Sequence, residues 1–173
     1  IRNADLRGTS SWDEVLAIVV KHQKANPTGW VLGRGWDQND WEAKEYPSNK
    51  ELDALFPDQP VALTRIDGHA VIANTAALKI AGFTNTTLID GGELIVVDDE
   101  LTGVLVDNAT DSLKRMIPEP SSQEQTSGML KAQENCFAVG LTSVGDAGLK
   151  WQTIQLIDSI QQSGDLKMRV YAM

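Results

Sequence analysis

Residues 121–173 read SSQEQTSGMLKAQENCFAVGLTSVGDAGLKWQTIQLIDSIQQSGDLKMRVYAM. This stretch decides the fold class. Ser121 with Glu124 three residues later forms a capping box, and Gly140 closes the helix that follows. LTSV reads as a buried strand, with Gly145 and Asp146 just past it. WQTIQLIDSIQQSGD places Ile154, Ile157 and Ile160 on one helical face with Trp151. LKMRVYAM reads as a closing strand. Helix, strand, helix, strand with short connections is the rhythm of a parallel α/β fold, so residues 142–145 and 167–172 are expected to pair in parallel.

Upstream the rhythm changes. Residues 1–28 hold one helix, SSWDEVLAIVVKHQKANPTG, with a capping box at Ser11 and Glu14 and a stop at Asn26-Pro27 and Gly29. His22 falls near its C-terminus and reads as a rim residue. Residues 29–120 look like an α+β insertion. Within it, a helix capped by Ser48 and Glu51 precedes a strand from Val61 to Ile66. A helix capped by Asn74 and stopped by Gly82 follows. GGELIVVDDELTGVLVD reads as a hairpin turning at Asp98–Leu101, and NATDSLKRMIPEP as a short helix ended by prolines. Trp30, Trp36 and Trp41 crowd a glycine-rich stretch, where they either line a pocket or anchor a loop.

Bulk properties bound the function. The chain has 173 residues, 42% apolar and 23% charged, with a formal charge of −9. That composition is globular, and its acidity disfavours nucleic acid and anionic membrane surfaces, which reward clustered Lys and Arg. No apolar run reaches the ~18 residues of a transmembrane helix. The opening IRNADLRGTSS is polar and does not read as a signal peptide, so the expected compartment is the cytoplasm. Both termini nevertheless read as cut from something longer. The single cysteine, Cys136, excludes an internal disulfide and a multi-cysteine zinc site; it reads as a small buried hydrophobe.

Candidate chemistry stands at strand ends. Asp146 follows the LTSV strand between Gly145 and Gly148, where it either meets a ligand or caps the next helix. Asp67-Gly68-His69 follows VALTR. His69, one of two histidines, has no co-ligand nearby in sequence, and the chain lacks H-x-H, H-E-x-x-H, G-x-S-x-G and phosphate-loop motifs.

WVLGRGWDQNDW at 30–41, DQPVALTRIDGHAVIANTAALKIAGF at 58–83, TGVLVDNA at 102–109 and GLTSVGDAG at 140–148 resemble, in that order, the amidohydrolase superfamily in its family 3 or YtcJ-like branch. The resemblance covers residues 6–173. It implies a metal-dependent (β/α)₈ barrel, of which this chain carries a part: a first barrel helix, an α+β insertion at 29–120, and two barrel strands after residue 121. It also implies hydrolysis of C–N bonds in non-peptide amides, with a divalent metal, zinc, in the parent protein. The family's H-x-H lies upstream of this chain and its later ligands lie downstream, so no metal ligand and no cofactor are expected here, and the chain alone is expected to be inactive. By resemblance Trp36, Asp37, Asp67 and His69 line the substrate pocket, and Asp107 and Asp146 are the catalytic candidates. The alternative is a free-standing binding or structural module derived from such a hydrolase. Unpaired barrel strands in a partial barrel would recruit a second copy, so a homo-oligomer is expected, with a small amide-type molecule as ligand and neither nucleic acid nor membrane as partner.

Overall fold

The computed structural model describes residues 2–25 and 27–173. Asn26, half of the expected helix stop, lies outside them. The chain divides into two compact units, Asn3–Pro118 and Glu119–Met173, the latter joined by Arg2.

In the first unit the chain runs β1 (Asn3–Asp5), α1 (Trp12–Ala25), β2 (Val31–Trp36), a 3₁₀ turn (Gln38–Asp40), α2 (Lys50–Leu55), β3 (Val61–Arg65), β4 (Ala70–Ala73), α3 (Thr75–Ala81), β5 (Gly92–Val97), β6 (Glu100–Asp107) and α4 (Asn108–Lys114). The six strands form one mixed sheet in the order β1-β2-β3-β4-β6-β5. β1, β2 and β3 are parallel, joined by crossovers through α1 and α2, and the remaining neighbours are antiparallel. The first helix and β1 thus belong to the same unit as residues 29–118.

Side chains alternate across this sheet with the period of two that a pleated strand imposes. Val31, Val61, Leu63, Ile72 and Val104 face one core with Val15, Leu16 and Val19 of α1 and Leu52 of α2. Leu32, Ala62, Val71, Ala73 and Leu105 face the other, with Ala77 and Leu78 of α3 and Ala109 and Leu113 of α4. Helices therefore cover both faces, which suits strands this uniformly apolar.

Local signals behaved unevenly. Asn74 caps α3 through Ala77 N–H, and Gly82 stops it in the left-handed region at φ 70°. The β5–β6 turn occupies Asp98-Asp99, at φ 51° and 66°, the positive values a two-residue hairpin of matching twist requires, so β6 starts at Glu100, within the expected turn. The Ser48 cap is a correction. The N-cap of α2 is Asn49, with no side-chain capping bond; it is buried and its N–H donates to Thr102 O at 2.8 Å, so the start of the helix is tied down by β6 instead. At α1 the box is offset: Glu14 N–H donates to Ser11 Oγ, but the Glu14 carboxylate accepts from Ser10.

The second unit runs α5 (Ser122–Ala138), β7 (Ser143–Asp146), α6 (Trp151–Gln162) and β8 (Arg169–Ala172). α5 carries the full capping box of Ser121 and Glu124. β7 and β8 pair in parallel, Val144 opposite Val170. Ile160, Leu166 and Met168 are its buried centre, with Met129, Leu130, Cys136, Val144 and Ile157 packed around them. Two expectations need correction. β7 is largely exposed, because a two-stranded sheet packed on one side leaves its other face open. Trp151 is 66% exposed and stands off the face that Ile160 buries.

Candidate functional site

The parallel strands β1, β2 and β3, and β6 beside β4, all end on one edge of the six-stranded sheet. Carboxyl edges of such sheets are where loops from several strands bring polar groups together. Arg65 ends β3, Asp67 and His69 form the turn into β4, and Asp107 ends β6.

Arg65 grips Asp67 with two charge-assisted bonds, Nε to Oδ1 at 3.0 Å and Nη2 to Oδ2 at 2.6 Å. Its remaining nitrogen donates to Tyr46 Oη at 2.8 Å, and the guanidinium carbon lies 5.7 Å from the centre of the Tyr46 ring. The Arg65 hydrogen bond is the largest cause holding the Asp67 carboxyl below its usual range; burial opposes it, and the His69 N–H, which donates to Oδ1 at 3.0 Å, adds to the lowering. Arg65 in turn is raised, first by Asp67 and also by the nearby charges of Tyr46 and Asp37.

His69 Nδ1 lies 3.0 Å from Asp107 Oδ1, and the Asp107 N–H donates to His69 O at 2.8 Å. The pairing follows from register: Ala70 stands opposite Val106, so the residues just outside the ladder, His69 and Asp107, are also neighbours. Lys114 Nζ reaches Gly68 O at 3.4 Å beneath the same turn. Gly92, opposite Asp107, has backbone in the space a side chain would need, at Ala109 N, so only glycine lets β5 close on the start of α4.

The other sequence candidates are placed differently. Trp36 is wholly buried and its indole N–H donates to Leu63 O at 2.8 Å, so it is a core anchor and not a pocket wall. Trp41 is likewise buried, with its N–H on Thr9 O, and packs between Trp12 and Trp36. Asp37 is half-buried and caps the 3₁₀ turn through Asn39. Asp146 lies in the second unit, where Oδ1 accepts from Gly148 N–H at 2.8 Å; it does not cap α6, whose N-cap is Lys150. His22 sits in the last turn of α1. Among the described residues, no three of His, Cys, Asp and Glu converge as metal ligands. The described residues therefore do not by themselves supply the three or four ligands a zinc site needs.

Sequence reasoning passed over Arg65 and Tyr46. A usable signal was present for one of them: an arginine at a strand end, two residues before an aspartate, is spaced for a hydrogen-bonded pair. A cavity of about 310 Å³ borders Tyr46, lined also by Ser48, Lys50, Ile95, Val97 and Leu101, and His69 does not line it.

The model of the amidohydrolase family matches residues 1–172. The chain belongs to the amidohydrolase family. It is 36% identical over 141 residues to the putative amidohydrolase YtcJ of Bacillus subtilis, covering 80% of this chain and 27% of that protein. It is 36% identical over 146 residues to LONG AFTER FAR-RED 3 of Arabidopsis thaliana, covering 83% and 25%, and 29% identical over 161 residues to N-substituted formamide deformylase of Arthrobacter pascens, covering 89% and 30%. The chain thus spans between a quarter and a third of the length of these curated relatives. Two solved structures of uncharacterised metal-dependent hydrolases superpose on 99% of it. That from Pyrococcus horikoshii OT3 has a TM-score of 0.68 at 24% identity, over 32% of its chain. That from Pyrococcus furiosus has 0.66 at 25%, over 33%. The mixed α/β architecture is shared with these two structures. No helix among the described residues is long and apolar enough to cross a membrane.

Proposed function

We propose that this chain forms a wall of the substrate pocket in a metal-dependent amidohydrolase that cleaves C–N bonds of non-peptide amides. The metal, of which zinc is our assignment, is held by residues outside these 173. In this reading β7 and β8 are two strands of the (β/α)₈ barrel, and residues 29–120 belong to an insertion in its sequence. His69, Asp67 and Asp107 line the substrate pocket, with Arg65 holding Asp67 in place and the charge of Asp37 acting on Arg65. The observation that carries the reading is the meeting of Asp67, His69 and Asp107 on one carboxyl edge, in a chain whose family is established over nearly its whole length. A carboxylate held ionised and an imidazole side by side suit polar recognition of an amide and its leaving amine.

The test is a turnover panel on the metal-loaded polypeptide that contains these residues. N-substituted amides and formamides should be hydrolysed, and phosphate esters should not. Preference for phosphate esters would contradict the reading, and binding of amides with no turnover at any metal loading would favour the free-standing module.

A further inference from the structure

We infer that Asp107 is a positioning residue that fixes the His69 ring with Nδ1 turned inward, so that Nε2 alone meets the substrate. The inference deepens the pocket reading above and, for the substrate contact, rests on it.

An ionised carboxylate is an acceptor only, so the ring atom facing it must carry hydrogen. At 3.0 Å from Asp107 Oδ1, Nδ1 is therefore the N–H of the His69 ring, and Nε2 is left for a solute. The His69 side chain is 70% exposed, so that nitrogen is reachable. The second carboxylate nearby does not compete for the ring. Asp67 is occupied by Arg65 and by the His69 backbone N–H. The cations facing this turn are Arg65 on Asp67, Lys114 on Gly68 O, and Arg34, whose Nη2 lies beside Gly68.

The backbone argues that this arrangement is built and not incidental. Asp107 is a non-glycine residue at φ 51° and ψ −125°, a conformation L residues disfavour. It is clamped on both sides: its N–H on His69 O, its carbonyl accepting from Thr110 Oγ1 at 2.8 Å, and Asn108 N–H on Gly91 O at 3.1 Å. A glycine would adopt these angles without strain, yet the position carries a side chain, and that side chain holds the ring. An exposed side-chain pair of this kind contributes little to stability, so stability is not what this geometry serves.

Two measurements separate the inference from the reading beneath it. The chain has two histidines, so ring nitrogens labelled with ¹⁵N can be assigned with a His22→Gln variant. At pH 8 we expect long-range ¹H–¹⁵N correlation to show His69 as a single tautomer, hydrogen on Nδ1, and Asp107→Ala to mix the two forms. A wild-type ring with hydrogen on Nε2, or one already mixed, overturns the inference whether or not Asp107→Ala folds. In the metal-loaded hydrolase, His69→Gln places an amide near Nε2 and His69→Asn near Nδ1. We expect His69→Gln to retain kcat/KM about tenfold better than His69→Asn, the worth of one hydrogen bond. The reverse order overturns the inference. Equal activity of both with wild type leaves the tautomer result standing and counts against the pocket reading.

Discussion

Arg65 and Asp67 meet in a two-pronged ion pair at 3.0 and 2.6 Å, two residues apart across the turn between β3 and β4. Arg65 is the chief cause of the lowered Asp67 pKa. A carboxyl whose folded pKa is depressed contributes stability above its unfolded pKa, near 3.9, and loses it as pH falls through the folded value. Asp5, held to about 2 by Arg7, and Glu14, lowered by Ser10, act in the same direction. The first unit should therefore keep a constant urea midpoint from pH 7 to pH 5 and lose stability progressively below about pH 4. Asp67→Asn should flatten that acid slope, and an unchanged slope would show that the pair does not persist in solution.

Asn74 is wholly buried and satisfies all its polar positions: Oδ1 accepts from Val61 and Ala77 N–H, and Nδ2 donates to Phe56 O and Gln59 O. One side chain thus caps α3 and ties the loop before β3 to its start. Asn74→Ala removes the cap and strands buried backbone groups, so it should cost about 3 kcal/mol in urea unfolding. A loss below about 1 kcal/mol would mean that water replaces these bonds.

At Asp107 the backbone strain and the side chain pull in opposite directions. Both Asp107→Gly and Asp107→Ala lose the His69 contact, but the glycine relieves the positive φ and the alanine keeps it. The glycine variant should be more stable than the alanine variant by about 1 kcal/mol, the strain being partly offset by the flexibility glycine adds to the unfolded chain. Equal stabilities would show that the backbone relaxes once the carboxylate is gone.

How much of this could be read from residues alone depended on range. The capping box at Ser121 and the Asn74 cap follow from patterns a few residues long, and the parallel pairing of β7 with β8 from the order of consecutive elements. The Asp67-Gly68 dipeptide was itself a turn signal, and the AVIA run after it was β4, but four residues are too few for a period to declare itself. Trp36 shows the other failure. Its type and loop-like surroundings suit a pocket as well as a core, and only the position of Leu63 O decides. The His69–Asp107 pair spans 38 positions and exists because β4 and β6 are antiparallel neighbours, a fact of sheet order that no local pattern carries.

β7 and β8 form a sheet of two strands, with Tyr171 71% exposed and Leu141 52% exposed beside it. Open edges and apolar groups of this kind recruit further strands, and the net charge of −9 favours orderly pairing over precipitation. The isolated chain should therefore run as a dimer in light scattering at micromolar concentration. A monomer of 18.9 kDa would mean that the second unit shields its own edges.

If His69 faces the substrate, its loss must slow turnover of an amide. The most direct measurement is kcat/KM for an N-substituted amide in the metal-loaded hydrolase carrying His69→Ala, beside the same enzyme carrying His22→Ala. We expect a loss of about tenfold or more at position 69, with metal content unchanged, and no loss at position 22. Equal kcat/KM for both variants and wild type would contradict it.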